Sequence, residues 1–329
     1  MGELLLRISP SSTKDARQKQ PMKLFVGGAE ANVATALAGW NIPVRYCTVL
    51  PDNFMSQYVV QYLDARHIDT SAIMLAGSRI GLYYLETGAD IKGGVVYDRE
   101  RSSFSELKTG MVDWEKVFDG VSWFHFTAIS PALNQSIADV CLEALQVASR
   151  KGLQISVDLN YRSKLWKYGK DPKEIMPQLV KYCTVIMGNI WSANSLLGIE
   201  VDEQIHAHQS KQAYIDHAAK TSITIMEQYP NCKAVANTYR FDSNEEQILY
   251  YTTLQMGDHS YLSKEFTCKG VVDRSGSGDC FMAGLIYGFH THHDDPQELL
   301  NYAAAAAFGK LQEQGDATEQ EVLQVEAGL

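Results

Sequence analysis

Four short apolar segments, set apart by helix-length intervals, constrain this chain more than any other feature. They are VSWFHFTAI (121–129), LQISVDLN (153–160), TVIMGN (184–189) and AVANT (234–238). Strands that are apolar nearly throughout lie buried on both faces, and parallel strands need a long crossover between them, usually a helix. The first interval carries Leu133, Ile137, Val140, Cys141 and Ala144 at helical spacing. The alternation predicts an α/β fold with a mostly parallel central sheet covered by helices. The chain then ends in helices, one over Cys280–His290 and one from about Pro296 through Gln314, whose alanine run 303–307 suits close helix packing.

Two other stretches are short and β-prone. One runs from Leu4 to Phe25 and is interrupted by the polar segment Ser9–Gln20, which reads as a loop. The other, Ile80–Phe104, holds IGLYYLE and GGVVYDRE around Gly88 and Gly93-Gly94, a hairpin pattern. No internal repeat or long linker divides the chain. The expectation is a single domain over 1–329, with a small β lid from about 4–25 and 78–106 and an α/β core from the remainder.

Composition narrows the partners. The formal net charge of −10 argues against nucleic acid or an anionic membrane as the main partner, so an anionic ligand needs a few local cationic groups. Six scattered cysteines without a CxxC pair suit free thiols in a reducing compartment. No apolar run reaches membrane-spanning length and no signal-peptide core opens the sequence, so a cytoplasmic location is expected.

The glycines of GVVDRSGSGDCFMAG (270–284) test for nucleotide motifs. GxGxxG fails because Phe281 stands where the third glycine belongs, and the P-loop fails because Leu311 follows Gly309-Lys310 and Ala304 precedes them. What remains is Gly276-Ser277-Gly278-Asp279 opening an apolar helix. Glycines let N–H groups converge, and a helix N-terminus adds partial positive charge, which together make an anion hole. A carboxylate there repels phosphate but can take a proton from an attacking hydroxyl. Taken alone, the pattern favours the simpler reading of Asp279 as a helix cap.

A second motif adds weight to the base. FVGGAEANVATALAGW (25–40) and VVDRSGSGDCFMAGLIYG (271–288) resemble the two signatures of the ribokinase-like (PfkB) carbohydrate kinases, in the family's order and near opposite ends of the chain. GELLLRISP (2–10), GLYY (81–84), VVYDRERSSFSEL (95–107) and VDLNYRSKLW (157–166) resemble the 2-keto-3-deoxygluconate kinase branch. The resemblance implies a ribokinase-like three-layer sandwich and transfer of phosphate from ATP, with Mg²⁺ on the phosphates, to the 6-hydroxyl of 2-dehydro-3-deoxygluconate. It implies Asp279 as general base, with Gly276, Ser277, Gly278 and Arg162 also in the catalytic centre. Gly28, Ala29, Glu30, Asn32, Tyr83, Tyr97, Arg99 and Arg162 become sugar contacts, beside Asp279. Asn160, Asn189, Thr238, Arg240, Gly276, Gly278 and Asn301 become nucleotide contacts, with no protein metal site. It also implies a homo-oligomer joined through the lids. For the arginines there is a separate reason: a sugar acid carries a carboxylate that a guanidinium binds in two parallel hydrogen bonds. Without the resemblance, Arg99 among Asp98, Glu100 and Arg101 reads as a solvated strand charge.

Some positions depart from the family pattern. Asn189-Ile190-Trp191-Ser192 has serine where NxxE has glutamate, and the glycine-rich nucleotide loop is replaced by NTYRFDS (237–243), placed by position only. Arg274-Ser275 stands where threonine is common. A neutral-sugar kinase for fructose or ribose is the alternative, and a sugar-binding regulator without catalysis a further one. His290, His292 and His293 read as a helix end and not as a metal site.

Overall fold

Alternation along the strands and caps at the helix starts set the elements. The computed structural model describes residues 1–10, 21–86, 94–205, 210–242, 247–291 and 294–329. In chain order it begins β1 (Leu5–Pro10), β2 (Met22–Gly27), α1 (Ala29–Gly39), β3 (Thr48–Leu50), α2 (Phe54–Asp64), β4 (Ile73–Leu75), β5 (Gly81–Leu85) and β6 (Val95–Asp98). There follow α3 (Trp114–Val117), β7 (Trp123–Thr127), α4 (Gln135–Arg150), β8 (Gln154–Asp158), α5 (Pro172–Val180), β9 (Val185–Gly188), α6 (Ile190–Leu197) and α7 (Lys211–Gln228). The last are β10 (Ala234–Asp242), β11 (Gln247–Met256), β12 (His259–Leu262), β13 (Phe266–Lys269), α8 (Ser277–Thr291), α9 (Pro296–Lys310) and α10 (Val322–Ala327).

The larger sheet has the order β12-β11-β10-β9-β8-β7, with β13 also on β11. Strands β7 to β10 run parallel, and β11 is antiparallel to β12 and β13. The predicted mostly parallel sheet is therefore present, built from the four segments read in the sequence. A separate four-stranded sheet has the order β2-β1-β5-β6, and β3 pairs with β4.

The chain groups into two units. The first is Met1–Glu106, Arg240–Tyr250 and Glu265–Leu329, and the second is Leu107–Tyr239 and Tyr251–Lys264. No stretch of the sequence marks this division, because each unit is assembled from segments that the chain leaves and rejoins.

In the first unit, Leu4, Leu6, Val26, Ala31, Ala34, Tyr46, Leu50, Val59 and Leu63 form a buried cluster. α8 and α9 pack so closely that a Cβ on Gly284 would lie 2.5 Å from Ala303 Cα, and one on Gly288 would lie 2.6 Å from Leu299 Cγ. Ala303–Ala307 are all buried, as the alanine run predicted.

Within the second unit, Asn134 caps α4 by accepting from the Ile137 N–H. The helix buries Ile137, Val140, Cys141, Ala144 and Leu145, while β8 supplies Ile155 and Val157.

Several boundaries differ from expectation. β1 runs to Pro10, so Ser9 is strand and not loop; pairing with Lys23 of β2 extends it and buries Ser9. Residues 11–20, and the hairpin connection with Gly88 and Gly93, lie outside the described residues. α8 begins at Ser277, three residues before the expected start, and α9 stops at Lys310 and not at Gln314. His290 is in the last turn of α8, whereas His292 and His293 lie outside the described residues.

Candidate active site

Two close backbone approaches in the first unit require glycine. Gly28, at φ 127°, precedes α1, and a Cβ there would lie 2.5 Å from the Glu3 carbonyl oxygen. Gly276, at φ 75°, precedes α8, and its Cβ would lie 1.6 Å from the Asp316 carbonyl oxygen. Side chains are strained at such positive φ, so glycine serves both turns. Each turn delivers the start of a buried helix. Ala29, Glu30 and Asn32 stand on the first turn of α1, with Glu30 and Asn32 buried.

Asp279 is the third residue of α8 and is itself buried. The flanking cap position is therefore not its own. Asn32 Nδ2 donates to Asp279 Oδ2 at 2.6 Å, so the sugar-motif asparagine and the GSGD aspartate are in direct contact. The Ser277 hydroxyl is directed elsewhere, donating to the Ala307 carbonyl at 2.9 Å. What Ser277 and Gly278 offer at the helix start is their main chain.

Register places a polar row on one face of the small sheet. Phe25 pairs with Arg7, Arg7 with Tyr83, and Tyr83 with Tyr97 across β2-β1-β5-β6. The neighbouring row, Leu24, Ile8, Tyr84 and Val96, belongs to the opposite face, because successive side chains of a strand alternate. The Tyr83 and Tyr97 ring centroids are 6.5 Å apart, and the Tyr83 hydroxyl donates to Asp316 Oδ1.

Arg99 follows β6 directly and is only 6% exposed, which removes the solvated-charge reading. Its Nε and Nη2 both lie 2.6 Å from Glu3 Oε2. The expected carboxylate reader is thus already paired with a buried carboxylate of this chain.

A buried charge network went unread in the sequence. Arg7, 1% exposed, places Nη2 2.8 Å from Asp273 Oδ2 and Nε 2.8 Å from Asp316 Oδ2, and donates from Nη1 to Ser275 Oγ at 3.1 Å. Lys310 is fully buried and donates to the Glu313 carbonyl at 3.2 Å. Burial raises the Asp316 carboxyl above its ordinary range despite Arg7. Burial also works against Asp273, but there Arg7 and the N–H groups of Ser275 and Gly315 prevail and hold it low. The available signal was Arg7 itself, a charge set between Leu6 and Ile8 in an apolar strand.

The remaining expected residues are divided between the two units. Asn301, on α9 of the first unit, accepts from Gln297 Nε2 at 3.3 Å. Arg240, also of the first unit, is an exposed strand residue. Asn160, Arg162, Asn189 and Thr238 belong to the second unit. There the Asn160 N–H bonds Asp158 Oδ1, exposed Arg162 donates to the Tyr161 carbonyl, and Asn189 caps α6 through the Ser192 N–H. Of the segment 237–243, expected as a nucleotide loop, residue 243 lies outside the described residues and the rest is strand. Residues 237–242 continue β10, with Asn237 and Tyr239 buried and Arg240 exposed, so the segment reads as a half-buried strand.

The model of the pfkB family of carbohydrate kinases matches residues 1–224. The chain belongs to that family. Its fold is the ribokinase-like α/β fold expected, with a mixed, mostly parallel sheet and a small separate one. This pfkB kinase is 34% identical to the crystal structure of 2-dehydro-3-deoxygluconokinase from Thermotoga maritima, at a TM-score of 0.90 over 99% of this chain and 95% of that one. It is 30% identical over 166 residues to the 2-dehydro-3-deoxygalactonokinase of Haloferax volcanii, a match spanning 50% of this chain and 52% of that protein, about half its length. It is 24% identical to the 5-dehydro-2-deoxygluconokinase of Geobacillus thermodenitrificans over 86% of this chain and 77% of that protein.

Among the described residues of this pfkB kinase, no three His, Cys, Asp or Glu side chains form a metal-binding cluster. Among the same residues, no helix is long and apolar enough to cross a membrane.

Proposed function

We propose that this chain transfers the γ-phosphoryl group of magnesium-bound ATP to the 6-hydroxyl of 2-dehydro-3-deoxy-D-gluconate, or of a keto-deoxy sugar acid of the same class. The contact between Asn32 and Asp279 carries the reading, because it joins the polyol-binding motif to a carboxylate at an anion-binding helix start. The three relatives differ in sugar but share that class by name. Magnesium enters as part of the nucleotide substrate.

In the proposed reaction the sugar oxygen attacks the γ-phosphorus and loses its proton to Asp279. The new O–P bond forms as the bond to the β-phosphate oxygen breaks, and ADP leaves. The N–H groups at Gly276–Asp279 stabilise charge on the transferring group without reorganising, which is where such catalysis gains most. Asn32 keeps the Asp279 carboxylate aimed. Tyr83 and Tyr97 face the sugar, and Arg99 serves its carboxylate.

A neutral sugar is the second reading, favoured by one observation: Glu3 already neutralises Arg99. Measuring ADP release with ketodeoxygluconate, gluconate, fructose and ribose, with and without Mg²⁺, separates the readings. Fastest turnover on the keto-deoxy acid supports the first; a preference for fructose or ribose replaces it with the second. No acceptor-dependent release leaves a sugar binder. We read the apolar row of the small sheet as the surface joining two copies.

A further inference from the structure

The chain entering the GSGD turn is held from behind by the side chains of Arg7 and Asp273. Residues 272–276 lie along residues 311–316: the Val272 N–H bonds the Leu311 carbonyl at 2.9 Å, and the Gly315 N–H bonds Asp273 Oδ2 at 3.2 Å. The Ser275 N–H closes the turn on Asp273 Oδ1 at 3.0 Å. Arg7 reaches both stretches from β1, pairing with Asp273 and Asp316 and donating to Ser275 Oγ. The carbonyl of Asp316 in turn abuts Gly276, and its carboxylate accepts from Tyr83 on the polar row of the sheet. A planar guanidinium offers donors in several fixed directions, which a single ammonium cannot reproduce.

We infer that Arg7 is a positioning residue for phosphoryl transfer: by gripping Asp273, Ser275 and Asp316 together it fixes the chain that enters the GSGD turn and ties that turn, through Tyr83, to the polar row of the small sheet. Arg7 acts through its contacts with Asp273, Asp316 and Ser275. The inference rests on the kinase reading above, since it assigns Arg7 a place behind that reaction's anion hole.

The test compares Arg7→Lys, Asp316→Asn and the double variant with the wild-type chain, using the best sugar acceptor found. Lysine keeps the charge but not the three-way grip. Kcat per active site, counted by the amplitude of single turnover, falls about 10- to 100-fold in each single variant, as expected for misplaced catalytic groups. The sugar and ATP KM values stay within about threefold. The double variant is no worse than the poorer single one, because both act through one network. Amide exchange at residues 275–278 quickens in Arg7→Lys relative to α1, a readout that needs no turnover. Wild-type kcat per active site in both single variants, or losses that multiply in the double variant, overturns the inference. So does a loss explained by fewer active sites, or unchanged exchange at 275–278. If Arg7→Lys does not fold, Asp316→Asn decides by the same two readouts. A wild-type chain inactive on every sugar sinks the kinase reading, while the exchange result still judges the grip.

Discussion

Asn32 and Asp279 are 247 positions apart in the chain, yet their side chains meet at 2.6 Å inside the first unit. Each stands on the opening turn of its helix, behind a glycine that no other residue replaces without clash. Asp279→Asn is nearly isosteric but cannot accept a proton. Turnover should drop by roughly two or more orders of magnitude while the variant folds and binds sugar. Steady-state kinetics and sugar binding by calorimetry check this, and unchanged turnover would return Asp279 to a structural role.

Replacing Arg99 by leucine leaves the Glu3 carboxylate buried and unpaired. Breaking a buried pair from one side costs about 3–5 kcal/mol, so Arg99→Leu should unfold at markedly lower denaturant. Adding Glu3→Leu should restore much of that stability. In the restored double variant, the ratio of kcat/KM for acid over neutral sugars is the informative quantity. A lowered ratio assigns Arg99 to the sugar carboxylate; an unchanged ratio confines it to the pair with Glu3.

Gly276→Ala places a methyl 1.6 Å from the Asp316 carbonyl oxygen at φ 75°. The turn must open, costing on the order of 1–3 kcal/mol or more from backbone strain. Activity should be lost before the fold is, because the shift falls on the anion hole itself. Equal losses of activity and thermal stability in Gly276→Ala would count against that hole.

His125 makes stability depend on acid. Trp123 Nε1 donates to Ser156 Oγ at 2.8 Å, and Ser156 Oγ lies 2.9 Å from His125 Nδ1, an arrangement that suits a neutral ring. Burial pulls the imidazole from 6.5 down to about 3. Between these values the unfolded chain binds the proton and the folded one does not. Stability is therefore complete above the unfolded value and declines as pH falls through that window, by about 2 kcal/mol from this group near pH 5. Urea midpoints of the wild type and His125→Gln at several pH values test it. Parallel curves would show that His125 does not titrate differently on folding.

Among the described residues, large apolar side chains stand exposed on the face of the small sheet opposite Arg7 and Tyr83. Met22 is 57% exposed and Val96 61%, with Leu24 and Tyr84 beside them. Monomers seldom leave such a row uncovered on a sheet. A dimer at micromolar concentration is expected in light scattering. Val96→Lys should weaken it, and the sugar KM should rise before ATP binding suffers. A monomer with full activity would contradict the arrangement.

What the sequence determined by itself was whatever repeats locally. Apolar strands spaced by helical intervals carried the α/β architecture, and two glycine motifs marked the helix starts, because period and turn chemistry are written in neighbouring residues. NTYRFDS shows the limit. Reading it by its place in a family pattern made it a loop, whereas its own alternation continues β10. The tertiary structure alone decided partners. Arg7 and Asp273 are 266 positions apart, and nothing local says that they meet, or that Glu3 takes Arg99. A buried charge is stable only beside its counter-charge, and which one it meets is fixed when sheet and helices pack, not by the order of residues.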